Sequence, residues 1–170
     1  MSLNDIQLQG KMLTDLYSDV LISENKSQVE ASRKQQGAAR IRSLGKNKRN
    51  YCFIVSYPGE TFLPDDQMEV LVKIMQACRL SMDDIALLNI GGREFGIEEI
   101  REQFQPAKMV LLGVKPEDIR LPILFPAYKP QSYAGCTYVY SDSLDQMDQS
   151  DTGRKIRGNL WFALKEVFAL

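Results

Sequence analysis

The stretch YCFIVSYPGETFLPDDQMEVLVKIMQACRLSMDDIALLNI, residues 51–90, decides the architecture. Its first seven residues, YCFIVSY, form a short apolar run rich in aromatic and β-branched side chains, as a strand buried on both faces requires. Pro58 and Gly59 end the run. A helix is expected from Asp65, a suitable N-cap, to about Arg79. Met68, Leu71, Val72, Met75 and Cys78 recur at helical spacing and give it one apolar face. Ser81 with Asp84 three residues on resembles a capping box. DIALLNI, residues 84–90, reads as a second buried strand, broken by Gly91-Gly92.

Downstream the alternation continues. A short helix is expected over 97–104 and closes before Pro106. KMVLLGV, residues 108–114, reads as a third strand. KPEDIRLPILFPAYKPQ holds four prolines and must be largely irregular. Residues 133–140 read as a fourth strand, and a last helix is expected from Asp151 or Thr152 to Phe168. Its stripe is Ile156, Leu160, Trp161, Leu164, Val167 and Phe168, which places Trp161 against the sheet. Apolar central strands alternating with helices imply a three-layer α/β/α fold around a four-stranded, mostly parallel sheet.

Working outward to the amino end, residues 24–50 carry eight Lys or Arg and two Glu, a net charge of +6. Arg33, Lys34, Arg40, Arg42, Lys46, Lys48 and Arg49 dominate a segment nearly free of large apolar residues. It reads as a solvated connector, or as a basic arm that meets phosphates or an acidic partner surface. Residues 51–170 are acidic, net −5, and the whole chain is −1. Ahead of the basic segment, Leu13, Leu16, Tyr17, Val20 and Leu21 form an apolar stripe at helical spacing. That helix either covers the main domain or docks on a partner. The expected organisation is therefore a helix and basic linker over 1–50 and an α/β domain over 51–170.

Composition excludes much chemistry. The chain has no histidine, so Ser-His-Asp and Cys-His systems and His-ligated metals are out. Cys52, Cys78 and Cys136 are far apart, each in an apolar stretch, and suggest buried reduced thiols. No metal and no cofactor are expected. Residues 1–10 lack a signal-peptide pattern, and no run reaches the roughly 20 apolar residues of a membrane span, so a cytoplasmic chain without membrane contact is expected.

In an open α/β sheet, ligands bind outside the carboxyl ends of the strands. The candidates there are Tyr57, Pro58, Gly59, Glu60, Asn89, Tyr140, Ser141 and Asp142. No glycine-rich phosphate loop follows the first strand. Glu60 and Asp142 are the rim carboxylates left over once Asp65 and Asp66 are assigned to a helix start.

With these pieces in place, the pattern resembles the uracil-DNA-glycosylase-like superfamily over about residues 44–168. The resemblance rests on SLGKN, YPGE, the FLPDDQMEVLVKIMQACRLSMDDIALLNI unit, FQPAKMVLLGV and a closing helix with Lys155, Trp161 and Lys165 in register. In that superfamily a first-strand loop supplies a water-positioning Asp or Asn, and a loop after the last strand supplies a His-Pro motif. Here Pro58-Gly59 matches the first loop without its acid or amide, and Tyr140-Ser141-Asp142 has neither His nor Pro. The resemblance therefore implies a non-catalytic branch, similar to the psi-subunit family of the DNA polymerase III clamp loader. It implies a protein-binding adaptor of the replication machinery, with residues 1–50 as the arm and clamp-loader subunits as partners. Two other functions are a divergent enzyme on nucleobases or nucleotides using Glu60, Asn89 or Asp142, and a nucleic-acid-binding protein acting through the basic segment.

Overall fold

The computed structural model describes residues 40–170, and the following account is of them. The expected helix with Leu13, Leu16, Tyr17, Val20 and Leu21 lies outside the described residues, as do Arg33 and Lys34.

The main domain is α/β, as expected. Its elements are β1 (Ser43–Leu44), β2 (Tyr51–Val55), α1 (Asp65–Ala77), β3 (Ile85–Asn89), α2 (Ile97–Phe104), β4 (Lys108–Leu112), β5 (Gln131–Tyr133), β6 (Cys136–Ser141) and α3 (Asp151–Phe168). They form one six-stranded sheet in the order β1-β3-β2-β4-β6-β5. The four inner strands run parallel; β1 and β5 add antiparallel edges.

The sheet thus has two strands more than the four expected. Ser43–Leu44 and Gln131–Tyr133 are too short and too polar to show an apolar pattern. The single strand expected over 133–140 is a hairpin. It turns at Ala134 and Gly135, whose φ values of 48° and 80° are those of a type I′ turn. Alanine at the first turn position gives no warning of that geometry.

Alternation along each inner strand sorts the core into two layers. Phe53, Val55, Leu87, Val110, Leu112 and Val139 face α1 and α3. Cys52, Ile54, Leu88, Met109, Leu111 and Tyr138 face α2 and the proline-rich crossing, where Ile119, Leu121 and Phe125 are buried. Residues 116–119 form one 3₁₀ turn and let this irregular segment stand in for a helix. All three cysteines are buried free thiols.

Two helix starts differ in detail from the expectation. Asp65 and Asp66 occupy the first turn of α1, with Pro64 at the N-cap. Ser150 caps α3 by accepting from the Gly153 amide at 3.0 Å. Leu160 and Leu164 of α3 are buried, whereas Trp161 is only half-buried. The Ser81–Asp84 capping box is present.

The folded unit also begins earlier than residue 51. Residues 41–50 form a strap along β3. Ile41 is buried, and its N–H and C=O are both engaged by the Gln103 side chain, at 2.9 and 2.8 Å. Gly45, at φ +103°, lies so close to β3 that a Cβ would meet the Ile85 carbonyl at 2.2 Å. Asn47, Lys48 and Arg49 donate their amides to the carbonyls of Ile85, Asp83 and Asp84. Lys46 and Lys48 both reach Asp83 at 2.9 Å, and Arg49 lies 3.4 Å from Asp84. The last ten residues of the expected basic linker are therefore pinned to the domain by backbone bonds, which hydropathy does not register.

Candidate functional site

The strand ends bring the first-loop candidates together and leave the last-loop candidates elsewhere. Tyr57-Pro58-Gly59-Glu60 is a tight turn closed by Glu60 N–H donating to the Tyr57 carbonyl at 3.3 Å. Proline followed by glycine at φ +91° is what a type II turn demands. The YPGE sequence is accounted for by that turn.

Asn89, at the end of β3, holds the turn. Its Nδ2 donates to the carbonyls of Tyr57 at 2.9 Å and Glu60 at 2.8 Å. Its Oδ1 accepts from the amides of Tyr57 and Gly91, both at 2.9 Å. Both donors and both lone pairs are used, so the amide has nothing left for a water or a base. Gly91 permits the approach, since a Cβ there would sit 2.4 Å from the Tyr57 carbonyl carbon.

Two clefts open at this edge. The smaller, about 310 Å³, is bounded by Arg42, Glu60, Asn89, Gly91, Arg93 and Phe95. The larger, about 550 Å³, is bounded by Ser56, Arg93, Glu94, Glu117, Asp118 and Arg120. Arg93 borders both. Arg120 pairs with Glu94 at 2.9 Å, and Asp118 accepts from the Lys115 amide at 2.8 Å. Glu60 thus shares its cleft with Arg42 and Arg93 and with no second carboxylate.

The last-loop residues have other work. Ser141 is buried and its hydroxyl donates to the Asp142 carbonyl at 3.0 Å. Tyr140 stacks edge-on against Phe125, centroids 5.4 Å apart. The Asp142 carboxylate accepts from the Tyr128 hydroxyl. Burial first, and that hydrogen bond second, push the Tyr128 pKa up to about 12, so it stays a neutral donor. The Tyr57 hydroxyl is buried beside Asp145 without closing a hydrogen bond of normal geometry. Burial, then the Asp145 charge, raise its pKa above the ordinary tyrosine value.

The carboxylates with depressed pKa lie at turns away from the clefts. Hydrogen bonds from Lys46 and Lys48 lower Asp83, and bonds from Ser81 lower Asp84. Bonds from Ser150 lower Asp148. Among the described residues, no group of three or more Cys, Asp and Glu side chains is placed to hold a metal ion, and no helix is long and apolar enough to cross a membrane.

The sequence reading missed Glu94, in the loop after β3, and Glu117, Asp118 and Arg120, in and just after the 3₁₀ turn of the proline-rich crossing, none of them part of a motif. It also missed an apolar groove of about 430 Å³ between α1 and α3. Val70, Ile74 and Ala77 form one wall, Leu160, Trp161 and Leu164 the other, with Met147 between them. The signal was there in outline: both helices carry apolar residues beyond the width of face that the sheet covers. No family model and no curated protein sequence matches the chain.

Proposed function

We propose that this chain is a non-catalytic, protein-binding adaptor whose place is in the DNA replication machinery, in the manner of the clamp-loader psi family that it resembles. The observation that carries the non-catalytic part is the state of Asn89. The one neutral amide at the strand ends that could orient a water spends all four hydrogen bonds on the turn of the first loop. Asp142 is likewise bonded to Tyr128. Glycosidic cleavage needs a group to position the water and another to stabilise the departing base, and Asn89 has no bond left for either role. The replication assignment rests on the resemblance, and the helix groove gives the adaptor reading a surface to work with.

The test has two arms. The full-length chain is assayed for uracil release from single- and double-stranded DNA, with release no greater than a no-protein blank expected. Release abolished by Glu60→Ala or Asp142→Ala overturns the non-catalytic reading. The same chain, immobilised, is then offered purified clamp-loader subunits from its native host. Saturable capture is expected, and its absence overturns the replication assignment.

A further inference from the structure

We propose that the groove between α1 and α3 receives an amphipathic helix from a partner protein, one whose apolar stripe is flanked by acidic side chains. This rests on the adaptor reading and names the chemistry of the partner it implies.

The groove has an apolar floor and two helical walls. Along α1 it runs from Val70 to Ala77, and along α3 from Arg157 to Leu164. Seven residues at 1.5 Å each make it about 10 Å long, two turns of a third helix. Two turns present apolar anchors at i, i+3, i+4 and i+7, the pattern by which a helix lies in a groove. Trp161 stands half-buried in the wall, the residue type most enriched among interface anchors.

Charge selects the occupant. Lys73 on α1 and Arg157 on α3 border the groove, and neither is paired with a carboxylate among the described residues. Lys165 lies over the Trp161 ring, 5.4 Å from its centroid. The one acidic residue of the border, Asp148, accepts from the Ser150 amide and hydroxyl and offsets part of the Arg157 charge, so that with Lys73 the border stays net positive. Cations on both walls call for carboxylates on both flanks of the ligand helix. A second copy of this chain meeting groove to groove would set Lys73 and Arg157 against their own kind, which disfavours a symmetric dimer here.

Trp161 is the sole tryptophan of the chain, so its fluorescence reports the groove directly. The probe is a synthetic helix-forming peptide of about 16 residues, with leucines at i, i+3, i+4 and i+7 and glutamates on both flanks. Added to the full-length protein, it is expected to shift Trp161 emission to the blue and to saturate. The same peptide with lysines for glutamates is expected to bind at least tenfold more weakly. Lys73→Glu with Arg157→Glu, at an exposed and a half-buried position, should reverse that preference. No saturation by about 1 mM peptide, or equal binding of both peptides, overturns the proposal. A dimer in sedimentation that Ala77→Glu dissolves also overturns it, in favour of a second copy. If the charge-reversed variant still captures clamp-loader subunits and the wild type ignores the peptide, the groove proposal fails and the adaptor reading stands. If the peptide binds with the stated charge preference and no subunit is captured, the replication assignment fails and the groove proposal stands.

Discussion

Replacing Asn89 by alanine removes four hydrogen bonds at once. The carbonyls of Tyr57 and Glu60 and the amides of Tyr57 and Gly91 all lose their partner. A typical intramolecular hydrogen bond is worth about 0.5–1.5 kcal/mol net. Glu60 is exposed, and its carbonyl can turn to water; the Tyr57 and Gly91 groups are half-buried and have less recourse. The sum falls at about 2–4 kcal/mol. For a domain of this size each kcal/mol lowers Tm by roughly 3–5 °C, so Asn89→Ala should melt about 10 °C below the parent. Urea titration followed by circular dichroism measures the loss, and hydrogen exchange at the Tyr57 and Gly91 amides locates it. A structural clamp and a catalytic amide give opposite outcomes. An unchanged melt with loss of a base-excision activity would refute the reasoning, because Asn89 would then be serving substrate and not the turn.

Three further outcomes follow from the same structure. Gly45→Ala should cost about 2–4 kcal/mol in urea titration, since its Cβ meets two carbonyl oxygens at 2.2 and 2.5 Å, whereas Gly59→Ala, with nothing within 4 Å, should cost about 1 kcal/mol from its positive φ alone. Asp83, Asp84 and Asp148 have folded-state pKa values below the ordinary 3.8, so the stability they contribute is present above that value and is lost as pH falls through the depressed ones. Tm recorded between about pH 5 and pH 2 should fall less steeply in Asp83→Asn/Asp84→Asn than in the parent. Trp161→Ala, at a half-buried site, should cost about 1–3 kcal/mol in the same urea titration, less than truncation of a fully buried tryptophan.

The inner sheet was legible because strands buried on both faces leave runs such as CFIV and ALLN, and because prolines and glycines stop them. α2 came out at its expected residues for the same reason: Ile97, Ile100 and Phe104 fall on one face and Pro106 follows. The edges were not legible. Ser43–Leu44 is held by Gly45 and by the Gln103 clasp, and both act through backbone groups that carry no hydropathy. The turn at Ala134-Gly135 lacks the asparagine or glycine pair that usually announces it. At the candidate site, residue type was visible but occupancy was not. Asn89 and Asp142 looked available because a sequence shows a polar side chain and not its partner. For Trp161 helical spacing gives a direction, whereas its depth depends on how far α1 stands from α3.

The strap over β3 also limits how this molecule can assemble. At one margin the sheet ends in two residues, Ser43 and Leu44, continued by a glycine too crowded to accept a side chain and by lysines engaged with Asp83. At the other it ends in three, Gln131 to Tyr133, cut off by a tight turn. Among the described residues, neither margin offers a long unpaired strand on which a foreign strand could zip up. Short edges of this kind disfavour growth by strand addition at both borders of the described sheet.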